Sequence, residues 1–164
     1  MAQLGCWSAI AGGVTAPLGF QAAGITAGLK ASGKPDLSLL LAPENAVCAG
    51  TFTTSVVRAA CVDLCVQRLQ EGASQVRAVV TNSGQANACT GDRGLIDSLR
   101  ATKAVADRLG VTAEKVLICS TGVIGVPIAM DILLSAVNPL VDSLTEDGGD
   151  DAAAAILTTD LVEK

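Results

Sequence analysis

The chain has 164 residues, 50% of them apolar, with 16 acidic against 11 basic side chains and a formal net charge of −5. No basic cluster occurs, so wrapping a nucleic-acid backbone or lying on an anionic membrane surface is excluded as the main role. The longest apolar run, around Leu37–Ala42, is far too short to span a bilayer. No Lys or Arg precedes Lys30, so a positively charged leader is not expected and the chain reads as cytosolic.

In chain order, Gly5–Ile10 is a short apolar segment ending at Gly12-Gly13. Phe20–Leu29, interrupted by Gly24 and Gly28, predicts a strand with bends or a hairpin. Lys34-Pro35-Asp36 is a turn signal, followed by a buried strand over Leu37–Leu41. Val47–Thr53 predicts another strand. The period then changes: Val57, Cys61, Leu64, Cys65 and Leu69 share one helical face, with Gly72 as the stop. Val76–Thr81 predicts a buried strand and Asn82–Gly91 a polar loop. Asp92 predicts the cap of a helix to Leu109, with Leu95, Leu99, Ala106 and Leu109 inward and Gly110 closing it. Lys115–Cys119 predicts a strand, and Ser120–Pro127 the loop after it. Asp131–Val137 predicts a helix halted by Asn138-Pro139, and Asp150–Leu157 a short Ala-rich helix. Strands first, then alternating helix and strand, make an α/β layered single domain over 1–164.

Histidine is absent. That rules out a Ser-His-Asp or Cys-His system completed by these residues, so a nucleophile here would need another base or a free α-amino group. The six cysteines, Cys6, Cys48, Cys61, Cys65, Cys89 and Cys119, are scattered through apolar runs and read as small buried hydrophobes. Cys61 and Cys65 lie one helical turn apart, but with no histidine and no second pair at zinc spacing, no metal is expected.

Two polar loops follow buried strands in an otherwise apolar chain, the usual place for function in α/β proteins. Neither is a phosphate loop, because neither G-x-x-x-x-G-K-[ST] nor G-x-G-x-x-G is present. In Ser120-Thr121-Gly122-Val123-Ile124-Gly125, a Thr-Gly step can aim a hydroxyl and a peptide N–H at one oxyanion. The same residues also suit a plain glycine turn capped by hydroxyls. Asn82, Gln85 and Asn87 in the other loop can bind a substrate amide or carboxylate, or satisfy backbone groups.

The blocks Gly13-Val14-Thr15-Ala16-Pro17-Leu18-Gly19-Phe20 with Ala22-Ala23-Gly24, Gly50-Thr51-Phe52-Thr53-Thr54, Asn82–Gly91, Ser120–Pro127 and Thr158-Thr159-Asp160, in that order, resemble the ornithine acetyltransferases (bifunctional glutamate N-acetyltransferases) of arginine biosynthesis. The resemblance implies a layered α-β-β-α sandwich shared with self-processing N-terminal-nucleophile aminopeptidases. It implies a precursor that cuts itself at an Ala–Thr bond into α and β chains assembled as α2β2. The new N-terminal Thr of the β chain would be the nucleophile, its own amine helping to activate it. Acetyl would pass from N-acetylornithine to that Thr and on to glutamate, with no cofactor and with acetyl-CoA as an optional acetyl donor. Carried onto matching positions, Thr121 and Gly122 would form the oxyanion hole and Thr158 would bind substrate. The nucleophile would lie past Lys164, which makes this sequence resemble an α chain. A self-processing aminopeptidase or amidase, and a non-catalytic binding subunit, are the alternatives.

Overall fold

The computed structural model describes residues 8, 10, 12–71, 75–160 and 162. Most of the Gly5–Ile10 segment, Cys6 and Gly72 lie outside the described residues. The elements are β1 (Gln21–Ile25), β2 (Leu37–Leu41), α1 (Ala60–Gln70), β3 (Ala78–Gln85), α2 (Gly91–Leu109), a 3-10 turn (Ala113–Lys115), β4 (Val116–Val123), α3 (Met130–Asp142) and α4 (Gly149–Ala155).

The strands form one sheet in the order β1-β2-β3-β4. β1–β2 and β2–β3 are antiparallel, while β3–β4 is parallel, with α2 as the crossover that parallel neighbours require. Side chains alternate across such a sheet. Leu37 and Leu39, both fully buried, share one face with their register partners Asn82 and Val80, and with Ala23, Val116 and Ile118. Against that face lie Cys61, Leu64 and Cys65 of α1, Ala101 and Val105 of α2, and Leu133, Ala136, Val137 and Leu140 of α3. Each fully buried Leu in this layer contributes about 1.5–3 kcal/mol over its exposed state.

The opposite face is covered only in part. α4 packs on β1 and β2, and Gly24 makes this possible: a Cβ there would stand 1.9 Å from the Asp151 carbonyl oxygen. Ser83 Oγ donates to the Ala155 carbonyl at 2.5 Å, tying α4 to β3 as well. Along β3 and β4 this face leaves Val79, Thr81 and Thr121 half-buried and Cys119 and Val123 exposed.

The α/β layering matches the expectation from sequence, and β2 has the expected bounds. Several local expectations are corrected. Val47–Thr53 belongs to no strand: Val47 is 87% exposed and no neighbouring strand supplies a ladder. α1 begins at Ala60, leaving Val57 outside it and 70% exposed. On α2, Leu95 and Leu99 point outward, at 42% and 44% exposure. The inward face is Gly94, Asp97, Ser98, Ala101, Thr102, Val105 and Ala106. That stripe has helical spacing, but its small and polar members hide it from a hydrophobicity count. Asp92 does not cap α2, which starts at Gly91 after Thr90, but Gly110 closes it in the left-handed conformation at φ 70°. α3 continues through Pro139 to Asp142, because the extra turn buries Leu140 completely. Among the cysteines, Cys61 and Cys65 are buried as expected, whereas Cys89 and Cys119 are exposed.

Candidate active site

The largest departure from the sequence reading sits where function was expected. Both polar segments begin as strand rather than loop. β3 runs on through Asn82-Ser83-Gly84-Gln85 and β4 through Ser120-Thr121-Gly122-Val123, paired residue for residue. Parallel pairing satisfies the backbone of these polar residues, which is why the ladder continues after the apolar run has ended.

Side chains then lock the two strand ends together. Asn82 is 1% exposed. Its Oδ1 accepts from Ser120 Oγ at 2.6 Å, and its Nδ2 donates to the Gln85 carbonyl at 3.0 Å. Beyond the strands, Ala86 N–H donates to Val123 O at 2.9 Å and Gly125 N–H to Ala88 O at 2.8 Å. Asn87, fully buried, donates to Gly94 O and Ser98 Oγ and accepts from Thr90 Oγ1. It thereby holds a left-handed backbone (φ 51°) that only a few non-Gly residues tolerate. Asn82 and Asn87 are thus structural ties, the second of the two readings their sequence left open.

Gly122 has φ 131°, and a Cβ there would lie 2.3 Å from the Gly84 carbonyl carbon. Two strand backbones therefore meet without side chains between them. β4 is also a sheet edge among the described strands, so part of its backbone N–H set lacks a ladder partner. Thr121 Oγ1 makes no hydrogen bond among the described residues. A hydroxyl and edge N–H groups are the parts an oxyanion-binding step needs.

Thr121 and Gly122 open onto a shallow cavity of about 630 Å³ whose other walls are Leu29–Ser32, Gly84-Gln85 and Thr158-Thr159. The three residues singled out from the sequence, Thr121, Gly122 and Thr158, thus share one cavity. Sequence reasoning missed Lys30 and gave Gln85 no definite role. Gln85 Nε2 donates to the Leu29 carbonyl at 2.9 Å, while its Oε1 is buried without a hydrogen-bond partner among the described residues. A buried unpaired acceptor costs about 1–3 kcal/mol. The Lys30 ammonium donates to Pro35 O at 2.7 Å and Leu157 O at 2.5 Å. Desolvation holds its pKa below the ordinary lysine value. The only sequence signal for Lys30 was its position as the first cation of a long apolar stretch.

A second cavity of about 370 Å³, at the starts of α1 and α2, is lined by Arg58, Asp92 and the end of the Asn82–Gly91 segment (Cys89, Thr90 and Gly91), and contains none of Thr121, Gly122 and Thr158. Burial pushes the Cys61 and Cys65 thiols up, so neither is a ready thiolate at neutral pH. Among the described residues no group of three or more His, Cys, Asp or Glu is placed to hold a metal, and no helix is long and apolar enough to cross a membrane.

A family model described as the ArgJ family matches residues 21–164. The arginine biosynthesis bifunctional protein ArgJ of Prochlorococcus marinus (strain MIT 9313) is 72% identical over 158 residues, 96% of this chain and 37% of that protein. Its namesake from Parasynechococcus marenigrum (strain WH8102) is 68% identical over 167 residues, 99% of this chain and 41% of that protein. The chain therefore spans about two fifths of the length of these relatives. Among solved structures, ornithine acetyltransferase from Mycobacterium tuberculosis, complexed with ornithine, superposes with a TM-score of 0.88 at 46% identity, covering 92% of this chain and 81% of that one. ArgJ from Bacillus halodurans superposes with a TM-score of 0.86 at 35% identity, covering 93% and 79%. With the family model and these relatives agreeing over nearly its whole length, the chain belongs to the ArgJ family.

Proposed function

We propose that this chain is the α-chain portion of an autoprocessed acetyltransferase that moves acetyl from N-acetylornithine to glutamate in arginine biosynthesis, in the cytoplasm, with acetyl-CoA as a further acetyl donor. The observation that carries this reading is the convergence of Thr121, Gly122 and Thr158 on one cavity, from elements far apart in sequence.

In the reaction, a threonine hydroxyl of the β chain attacks the acetyl carbonyl of N-acetylornithine. The carbonyl oxygen takes up negative charge, and Thr121 with the Gly122 backbone stabilises it. The C–N bond then breaks, and ornithine leaves after its nitrogen gains the proton lost by the hydroxyl. Glutamate's amine attacks the resulting acetyl ester through a second oxyanion at the same place, which restores the threonine. Thr158, across the cavity, orients the amino acid. The chain has no histidine, which suits a nucleophile activated by its own α-amine. The partly uncovered β3–β4 face is where a β chain would add the second sheet, in an α2β2 assembly.

The test uses the full-length gene product. Mass analysis should find two chains, the second starting with Thr. Ornithine release from N-acetylornithine should rise sharply when glutamate is added. Equal release with and without glutamate would favour a hydrolase on the same scaffold. A single uncleaved chain with no acetyl-enzyme would favour a non-catalytic binding protein. Thr121→Ala should lower turnover about 10²–10³-fold while leaving Tm nearly unchanged.

A further inference from the structure

We infer that Lys30 is a positioning residue that holds the Thr158 segment against the cavity wall formed by the β1–β2 connection. This rests on the reading of Thr158 as a substrate-binding residue. The connection is held by hydrogen bonds to two side chains. Asp36, fully buried, accepts from Ala27 N–H at 2.7 Å, Gly28 N–H at 3.1 Å and Lys30 N–H at 2.8 Å. Gln85 Nε2 fixes the same loop from β3 through Leu29 O. From this frame the Lys30 ammonium reaches across to Leu157 O, using Pro35 O as its second acceptor.

On the other side of that contact lies the segment after α4. α4 ends at Ala155, and Leu157 N–H donates to Ala154 O at 3.3 Å. Neither Thr158 nor Thr159 makes a hydrogen bond among the described residues. The bond from Lys30 to Leu157 O is therefore a side-chain anchor directly adjoining Thr158. No described carboxylate forms an ion pair with Lys30. Its charge serves two neutral carbonyls, and charge-assisted bonds of this kind are about twice as strong as neutral ones. Partial burial that lowers the lysine pKa runs against stability, which suits a group retained for placement.

The experiment uses the full-length, processed protein with Lys30→Met, Lys30→Arg, Thr158→Ala and the Lys30→Met/Thr158→Ala double variant. Lys30→Met keeps the aliphatic stem and should raise KM for N-acetylornithine about tenfold with kcat within about threefold. Lys30→Arg should recover part of the loss. Because Lys30 acts through Thr158, the KM effect of Lys30→Met should largely vanish in the Thr158→Ala background. Hydrogen exchange at the Leu157 amide, the one amide of Leu157–Thr159 that donates a hydrogen bond among the described residues, should quicken in Lys30→Met, and less so in Lys30→Arg, with the sheet unaffected. A fall in kcat at constant KM, or KM effects that multiply independently in the double variant, would overturn the inference. If Lys30→Met does not fold, Lys30→Arg carries the exchange test, and unchanged exchange at the Leu157 amide would overturn it. If exchange responds as described while the unaltered protein transfers no acetyl group, the brace stands and the proposed function falls.

Discussion

Gly122 shows how tightly residue-scale sterics constrain this site. Gly122→Ala would push a methyl group into the Gly84 carbonyl at 2.3 Å in a backbone conformation, φ 131°, that L residues avoid. The expected cost is at least about 2 kcal/mol of stability, measured by denaturant unfolding, along with loss of acyl transfer. Thr121→Ala should separate the two properties, with activity lost and stability kept. Lys30 adds a pH signature. Desolvation lowers its pKa, Asp36 raises it and Lys34 lowers it further, leaving it below the ordinary 10.5. Between that lowered value and 10.5 the unfolded chain binds more protons at this site, so its contribution to stability grows as pH rises. The charge-assisted brace fades over the same window. KM for N-acetylornithine should therefore climb on the alkaline side while the protein stays folded. The climb should be absent in Lys30→Arg, whose guanidinium keeps its proton. Thr121, Gly122 and Thr158 are all pointed to by the family resemblance, with the Thr-Gly step adding a physical reason for the first two. Lys30 is not, because the acceptors that give it a role are carbonyls of Pro35 and the distant Leu157, and main-chain oxygens carry no residue signature.

At the scale of elements, α2 and α3 were misread for opposite reasons. On α2 the apolar Leu95 and Leu99 suggested the wrong inward face, since the true contact surface uses small residues that let the helix approach the sheet. On α3 the stop signal at Pro139 was real, but it was outweighed by burying Leu140. A missing hydrogen bond at a helix end costs less than a large exposed side chain when the next turn lies over the core. Leu140→Ala should then cost about 2–5 kcal/mol in denaturant unfolding. Leu99→Ala should cost less than about 1 kcal/mol. Similar losses at both sites would contradict the orientation of α2. Val47–Thr53 illustrates a third limit: strand propensity produces no strand where no neighbour offers a ladder.

For the whole molecule, the asymmetry of the sheet matters most. One face carries three helices, while the other carries α4 over β1 and β2 and leaves much of β3 and β4 uncovered. An exposed sheet face and an open β4 edge favour self-association of this chain when it is made alone. Cys119, exposed on that face, offers a test of the proposed two-chain assembly. Cys119→Asp should leave the far-ultraviolet circular dichroism of the chain intact but prevent co-elution with the β chain on size exclusion. Normal co-elution would place the partner on another surface.

The sequence by itself determined the α/β class, the bounds of β2, and that no histidine-based nucleophile system is completed by these residues; its resemblance to a family pointed to the residues to suspect at the site. The first three depend on local chemistry, periodicity or composition or a short run of residue types, and the last on ordered blocks that match a family. Only the tertiary structure decided that the suspected loop is the end of a strand, because parallel pairing of Asn82–Gln85 with Ser120–Val123 joins segments that propensity treats separately. It likewise decided which face of α2 turns inward, that α3 passes its proline, and that Thr158 faces the same cavity as Thr121 and Gly122. Those outcomes depend on partners distant in the chain, whose backbone groups and packing volumes are set only when the layers close.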